Sequence, residues 1–487
     1  MFKRIFLAVL TAAALLVFSA CDDNSKEANN NTGDVQDNQQ TQGGVQDGEE
    51  EQIDYLSDLS TEKYDGYNFR MLLRKGMIAD QYLEEDSTDL VESATYKRNK
   101  YVEERYGITI TATESSSTYE TDALNSILAG DDAYDLIFAH SRAAFTYAVQ
   151  GAAYNVNDIE SIHLDKPWWS NDIKNSCNVN GYLYVLDGDI TTQGLGNAMS
   201  MFFNKNLFDE LGFDYPYELV KDGEWTFDEF AYLAKKGGKD LDGDGVITPE
   251  NDRFGFVTPE WEAPINILYT GGQKIYDKNE EGKLELTLYS NKTVDIFADF
   301  FNLLENEACF LQETEGPNKY NGTNPFTDGR AMIYTSTLSS AKGYRNMEDD
   351  FGIIPYPKFD EDDEYATVIN GHAHLIVIPI TVEDVERTGA ITEALCAYGS
   401  RDVIPAFYDV SLKTKYARDE ESEDMMDLIK SSIVYDLGYV SGSPLQSVGR
   451  DLAKATSHDF ASFYASKESS ALIQVEEFNE DYGHFES

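Results

Sequence analysis

Asn68-Phe69-Arg70-Met71-Leu72-Leu73, Ile108-Thr109-Ile110-Thr111 and Asp135-Leu136-Ile137-Phe138-Ala139 are three short apolar runs, and two helical stretches separate them. The first stretch, Val91 to Tyr106, stops at Gly107, and the second, Thr121 to Ala129, stops at Gly130. Glycine just past the last turn supplies the positive φ with which many helices end. Apolar runs of four or five residues separated by helices belong in a sheet covered on both faces. Alternation with helices makes that sheet parallel. The expected class is therefore α/β.

Downstream the texture changes. Asn197-Ala198-Met199-Ser200-Met201-Phe202-Phe203-Asn204 reads as an apolar crossing segment. After it, Trp225-Thr226-Phe227-Asp228-Glu229 predicts a helix start, with Thr226 as N-cap, Glu229 closing a capping box and Trp225 packing as a hydrophobic staple. Phe227, Phe230, Ala231 and Ala234 then share one face of the helix, and Val294, Phe297, Phe301 and Leu304 mark another amphipathic helix. Phe351-Gly352-Ile353-Ile354-Pro355 and Leu375-Ile376-Val377-Ile378-Pro379 return to buried-strand texture, and helices fill most of the remainder.

Upstream, Lys3 and Arg4 precede an apolar stretch from Ile5 to Phe18, closed by Ser19-Ala20-Cys21. Phe18-Ser19-Ala20-Cys21 resembles a bacterial lipoprotein signal, with Phe18 where Leu is usual. That resemblance implies a signal peptide over 1–20, removed so that Cys21 carries lipid. The alternative, an uncleaved anchor, asks for about 20 apolar residues, more than are present. Residues 21–54 form an acidic linker with almost no apolar side chains, so nothing there offsets the entropy of ordering. A leash of this kind beside a lipid holds a folded body at the membrane surface without entering it.

The remaining body of about 430 residues is too long for one core and suits two domains. A net charge of -50 excludes nucleic acid as a partner, because phosphate binding needs a basic face. Cys177, Cys309 and Cys396 are widely spaced and form no metal or redox pair motif. They read as buried small side chains, with room for one disulfide.

The order of Asp135 to Arg142, Asp165-Lys166-Pro167-Trp168-Trp169, Gly181-Tyr182-Leu183-Tyr184, Phe202-Phe203-Asn204-Lys205, Asp222 to Thr226, Gly329-Arg330-Ala331-Met332 and Phe351 to Pro355 resembles extracellular solute-binding proteins of the carbohydrate type. Those proteins are the receptors of ATP-driven (ABC) importers. The resemblance implies a type II, two-lobed periplasmic-binding-protein-like fold, each lobe a mostly parallel sheet flanked by helices. Lobe 1 is then 55–196 with 353–395, and lobe 2 is 197–352 with 396–487. The crossings fall at Asn197 to Asn204 and near Gly352 to Pro357, and the ligand lies between the lobes.

In open α/β sheets ligands bind beyond the carboxyl ends of the strands. Here those ends carry Arg74 after the first strand and His140, Ser141 and Arg142 after the third. Similar proteins bond sugar hydroxyls with the segment matching Ser141 and Arg142, and often carry a carboxylate where this chain has Asn197. Aromatic residues make up 13% of the chain, a supply suited to covering pyranose faces. Adjacent Trp168 and Trp169 are expected to differ, one turned to the cleft, the alternative being packing in a structural turn. Trp261 and Tyr334 lie in segments expected to reach the cleft face of lobe 2. His372 and His374 are too few for a zinc site and are placed near the cleft instead.

Asp240-Leu241-Asp242-Gly243-Asp244-Gly245-Val246 is the sharpest chemical motif. Carboxylates at positions 1, 3 and 5, glycine at 6 and a carbonyl at 7 wrap oxygens around a hard cation, so structural Ca2+ is expected. Position 12 is Asn251 where a bidentate Glu is usual, so Glu250, Asp252 or a remote carboxylate must complete the shell, with Asp252 taken as the ligand. No nucleophile elbow, phosphate loop, dinucleotide fingerprint or zinc-protease helix is present.

The expected protein is thus a monomeric, non-enzymatic, lipid-anchored receptor on the outer face of the cell membrane. It delivers a carbohydrate, an oligosaccharide, to an ABC transporter permease. Alternatives are a surface glycoside hydrolase and a receptor for a peptide or other solute.

Overall fold

Strands Asn68–Leu73, Thr109–Glu114 and Leu136–His140 run parallel, with Asn68–Leu73 between the other two. His374–Val377 adds an antiparallel edge beside Leu136–His140, giving a four-stranded sheet. The computed structural model describes residues 54–480 and 482. The expected signal peptide, Cys21 and nearly all of the linker lie outside them. Every residue of Leu136–His140 is buried, as a two-face-covered strand requires. The helix Leu90–Tyr106 begins on Asp89, whose carboxylate accepts the Val91 and Glu92 N–H groups, and ends at Gly107 with φ 68°.

A second sheet has five strands in the order Phe351–Ile354, Met199–Asn204, Ala331–Thr337, Phe254–Pro259 and Cys309–Gln312. Phe254–Pro259 runs parallel to both its neighbours, while Met199–Asn204 is antiparallel to both of its own. Met199–Asn204 is buried throughout, so the apolar stretch after Asn197 is an inner strand rather than a crossing. The crossing itself is Asn197 and Ala198.

The second crossing is displaced from its expected place. Phe351–Ile354 pairs with Met199–Asn204, and the Lys358 N–H donates to the Trp225 carbonyl at 3.0 Å, so the chain is still with the second sheet well past 352/353. It returns at Ile369 to Ala373. There Ala198 and Ile369 form an antiparallel bridge, and the Asn370 N–H donates to the Asn197 carbonyl at 2.9 Å. The two crossings are therefore tied to each other. The boundary at 395/396 also moves, because Val385–Tyr398 packs on Leu90–Tyr106 and runs on into further helical turns that reach Ala341–Tyr344 beside the second sheet.

The helix Phe227–Gly237 starts where expected, but the capping box is not closed. Thr226 is extended and its side chain caps nothing, while the Phe227 N–H donates to the Lys358 carbonyl at 2.7 Å. A bridge from Thr226 to Lys358 has taken over the role of the cap. Trp225 is buried, donates its indole N–H to the Pro355 carbonyl at 3.1 Å and meets Phe230 edge-on, the contact a staple makes. Cys177, Cys309 and Cys396 are buried and free.

Candidate functional site

A cavity of about 270 Å³ lies where the carboxyl edges of both sheets meet the crossing segments. Leu136–His140 ends in His140, and Ser141 and Arg142 follow at once. His374–Val377 runs the other way with His374 opposite His140, so the residues that precede it, Asn370 to His372, emerge at the same edge. From the second sheet, Pro259 and Gln312 are paired at the ends of parallel strands, and just beyond them stand Trp261 and Glu315. Sheet topology thus gathers His140, Ser141, Arg142, Trp261 and His372, five of the residues named from the sequence, into one lining.

Two neutral imidazoles sit side by side, with His140 and His372 ring centroids 6.0 Å apart. Burial, reinforced by Arg74 and Arg142, pulls His140 down to about 3, and burial with Arg74 lowers His372 as well. The His140 Nδ1 accepts the Arg142 main-chain N–H at 3.3 Å, which leaves its Nε2–H to donate, while an uncharged His372 ring carries one donor and one acceptor; such groups suit hydroxyls. The Tyr119 ring meets His140 edge-on at 4.8 Å. Tyr119 and Glu120 have φ values of 58° and 50°, a left-handed pair without glycine at the cavity rim. Strain of this kind persists where the surroundings hold it: the Glu120 carboxylate accepts the His140 N–H at 2.9 Å, and the Tyr147 hydroxyl donates to the Glu120 carbonyl at 2.7 Å.

Trp261 is half-buried, and the Arg450 guanidinium lies 4.1 Å from its ring centroid. Arg450 pairs with Glu315 at 3.2 Å and approaches buried Glu260 at 3.7 Å, while Lys454 holds the other Glu260 oxygen at 2.6 Å. The indole thus lies against a guanidinium that is itself held by carboxylates. At the hinge, Asn370 donates to the Glu262 carboxylate at 3.0 Å, and burial pushes that carboxyl up to about 7. The Gly371 N–H donates to the Tyr439 hydroxyl at 3.3 Å.

Other expected residues lie elsewhere. Arg74 is below the cavity rather than in its lining, donating to the His372 carbonyl and 3.7 Å from Glu120. Asn197 donates to the carbonyl and side chain of Gln193 and opens on a separate cavity of about 230 Å³ with Asp80, Lys342 and Phe407. Tyr334 is buried and stacked on Phe326 at 5.6 Å, a core residue. Neither Trp168 nor Trp169 turns to the cleft. Both are buried because Glu393 accepts one indole N–H at 3.1 Å and the other at 2.7 Å. His374 is buried against the Thr191 hydroxyl at 2.9 Å.

Sequence reasoning missed Tyr119, Glu315, Asn370, Tyr439, Gln446 and Arg450 in this lining. Glu315 follows a strand end and could have been found by the rule that found His140. Arg450 and Tyr439 come from C-terminal helices whose place no local pattern discloses.

In the acidic loop, carboxylate oxygens of Asp240, Asp242 and Asp244 lie within 4.8 Å of one another. Asp240 accepts the Gly243 and Gly245 N–H groups at 2.6 and 2.8 Å, and Gly245 turns at φ 88°. Main-chain pairing of Lys239 with Arg253 closes the loop. Asp252 is not part of the cluster. Its two oxygens accept the Leu241 and Thr248 N–H groups at 2.7 and 2.8 Å, which lowers its pKa and makes it a staple of the loop.

Two sheets whose carboxyl edges meet at one cavity, across crossing segments bonded to each other, define a two-lobed solute-binding receptor. The chain belongs to the bacterial extracellular solute-binding protein family, whose profile matches residues 98–397, well over half its length. Solved structures with the same fold include the ABC substrate-binding protein Lmo0181 of Listeria monocytogenes in complex with cycloalternan (14% identity, TM-score 0.51, 86% of this chain and 100% of that one). The cyclic alpha-maltosyl-1,6-maltose binding protein of Arthrobacter globiformis is similar at 12% identity and TM-score 0.56, over 84% and 100% of the two chains. UgpB of Mycobacterium tuberculosis in complex with glycerophosphocholine is similar at 14% identity and TM-score 0.52, over 86% and 98%. No curated protein matches the chain in sequence. No helix among the described residues is long and apolar enough to cross a membrane.

Proposed function

We propose that this protein captures an extracellular carbohydrate, an oligosaccharide, between its lobes and hands it to the permease of an ABC importer. The carrying observation is the cavity lining: an indole braced by Arg450, a tyrosine ring, two neutral imidazoles and the Asn370 and Gln446 amides, drawn from both lobes and the hinge. Aromatic faces cover apolar ring faces, and uncharged polar groups bond hydroxyls. The structural relatives bound to cycloalternan and named for cyclic maltosyl-maltose support the same ligand class. Closure about the tied crossings would present the liganded shape to the permease.

Binding without turnover is the central expectation. A glycosidase needs two carboxyl groups flanking the scissile bond, and the carboxylate of the described lining, Glu315, is paired with Arg450. Incubation with an oligosaccharide panel, followed by calorimetry and product chromatography, should give stoichiometric binding and intact sugar. Released product would overturn the reading in favour of a hydrolase. Binding of peptides with no response to any sugar would overturn it in favour of another solute.

The body is proposed to work as a monomer on the outer membrane face, tethered by lipid at Cys21 and the 21–54 linker. Cys21→Ala should move the protein from the membrane fraction to the medium, and unchanged fractionation would contradict the anchor. Asp240, Asp242 and Asp244, with the Val246 carbonyl, are proposed to hold one structural Ca2+. A site filled at about 100 times its Kd adds about 2.7 kcal/mol, so chelation should lower the melting temperature by roughly 2–5 °C. Asp242→Ala should reproduce that loss and abolish the effect of chelator. Equal melting in every case would remove the metal.

A further inference from the structure

Arg142 lines the cavity, and its guanidinium makes no hydrogen bond or close ion pair among the described residues; the Asp451 carboxylate acts on it only at longer range. It is half-buried, and its methylenes run past Gly442, whose φ is 82°. Partners are not scarce in this chain, which has 88 acidic residues against 38 basic ones. The nearby arginines have found theirs: Arg74 is 3.7 Å from Glu120, and Arg450 is 3.2 Å from Glu315. Glu315, the carboxylate facing the same cavity, is therefore already committed to Arg450.

A guanidinium carries five N–H donors in a planar fork, is always charged and matches an anionic group with two parallel bonds. Partly withdrawn from water with no anion in contact, it is left without charge-assisted hydrogen bonds, and a ligand that supplies the anion gains a bidentate pair. The remaining groups around it, His140, His372, Asn370 and Gln446, are uncharged donors and acceptors for hydroxyls. We propose that the captured saccharide is acidic, and that Arg142 receives its anionic substituent, a uronate carboxylate or a sulfate ester, while Trp261 covers a neighbouring ring. This rests on the saccharide reading above and narrows it to a charge class.

The test uses matched pairs that differ in the charged group: galacturonate oligomers against their methyl esters, and sulfated against unsulfated galactose oligomers, titrated by calorimetry. The acidic member of at least one pair should bind about tenfold or more tightly than its neutral partner, and the responding pair tells carboxylate from sulfate. In Arg142→Gln, checked for an unchanged circular dichroism spectrum, that ratio should fall to about one. Arg142→Lys should keep part of it, since charge survives while the fork is lost. Neutral sugars bound as well as or better than acidic ones would overturn this proposal and leave the saccharide reading standing. Acid preference that survives Arg142→Gln would overturn the role of Arg142. If no saccharide of either kind binds, the broader reading falls and takes this one with it.

Discussion

Replacing Trp261 with Ala is expected to weaken saccharide binding by about 30- to 150-fold, or ~2–3 kcal/mol, the loss typical of a central aromatic anchor. The indole stands just beyond the carboxyl end of the second sheet, half-buried in the cavity lining with Arg450 against it at 4.1 Å. Truncation removes the platform, so the cavity loses its flat wall, while Arg450 keeps its carboxylate partners. Trp261→Phe should recover part of the affinity, because a smaller ring still covers a sugar face. Folding should change little, since the side chain is only partly buried. Calorimetric titration of both variants checks this, and a loss below about threefold for Ala would mean that the sugar does not rest on Trp261.

Glu393→Ala is expected to cost about 3–5 kcal/mol of folding stability. The carboxylate is buried and accepts the Trp168 and Trp169 indoles at 3.1 and 2.7 Å and the His163 main-chain N–H at 3.2 Å. Without it three donors lose their acceptor, each worth about 1–3 kcal/mol when stranded. Burial raises the Glu393 pKa, opposed by those same hydrogen bonds, so the site holds the group at a desolvation cost that only its donors offset. Glu393→Gln keeps one carbonyl acceptor but turns an amide N–H2 toward the other indole, so its cost should fall between wild type and Ala. Urea denaturation with an unchanged m-value is the measurement. A cost below about 1 kcal/mol for Ala would show that the two indoles find other acceptors.

The same three residues show where sequence reading ends. Trp168 and Trp169 invite the argument that adjacent indoles cannot share a core, and the argument fails because Glu393, more than 200 residues later, gives each an oxygen. Nothing near the tryptophans announces that partner. By contrast, the first sheet was legible because its strands are short apolar runs bounded by helices with glycine stops. His140, Ser141 and Arg142 were legible as the residues directly after such a strand.

The second crossing was misplaced for a related reason. Phe351-Gly352-Ile353-Ile354 has the same texture in either lobe, and only its pairing with Met199–Asn204 decides where it belongs. The capping box at Thr226 and Glu229 matched its pattern, yet a main-chain bond from Phe227 to Lys358 supplied the helix start instead. Local patterns found the elements, and long-range pairing decided their partners. A quarter of the cavity lining follows the same rule, since Tyr439, Gln446 and Arg450 reach it from the far end of the chain.

The proposed receptor captures an intact saccharide in the cavity between the lobes. A crystal structure of the protein grown with its tightest-binding oligosaccharide tests it most directly. An uncleaved sugar is expected, with one ring face against Trp261 and hydroxyls within hydrogen-bond distance of His140 and His372. Density for the sugar at another surface, or for a cleaved product in the cavity, would contradict it.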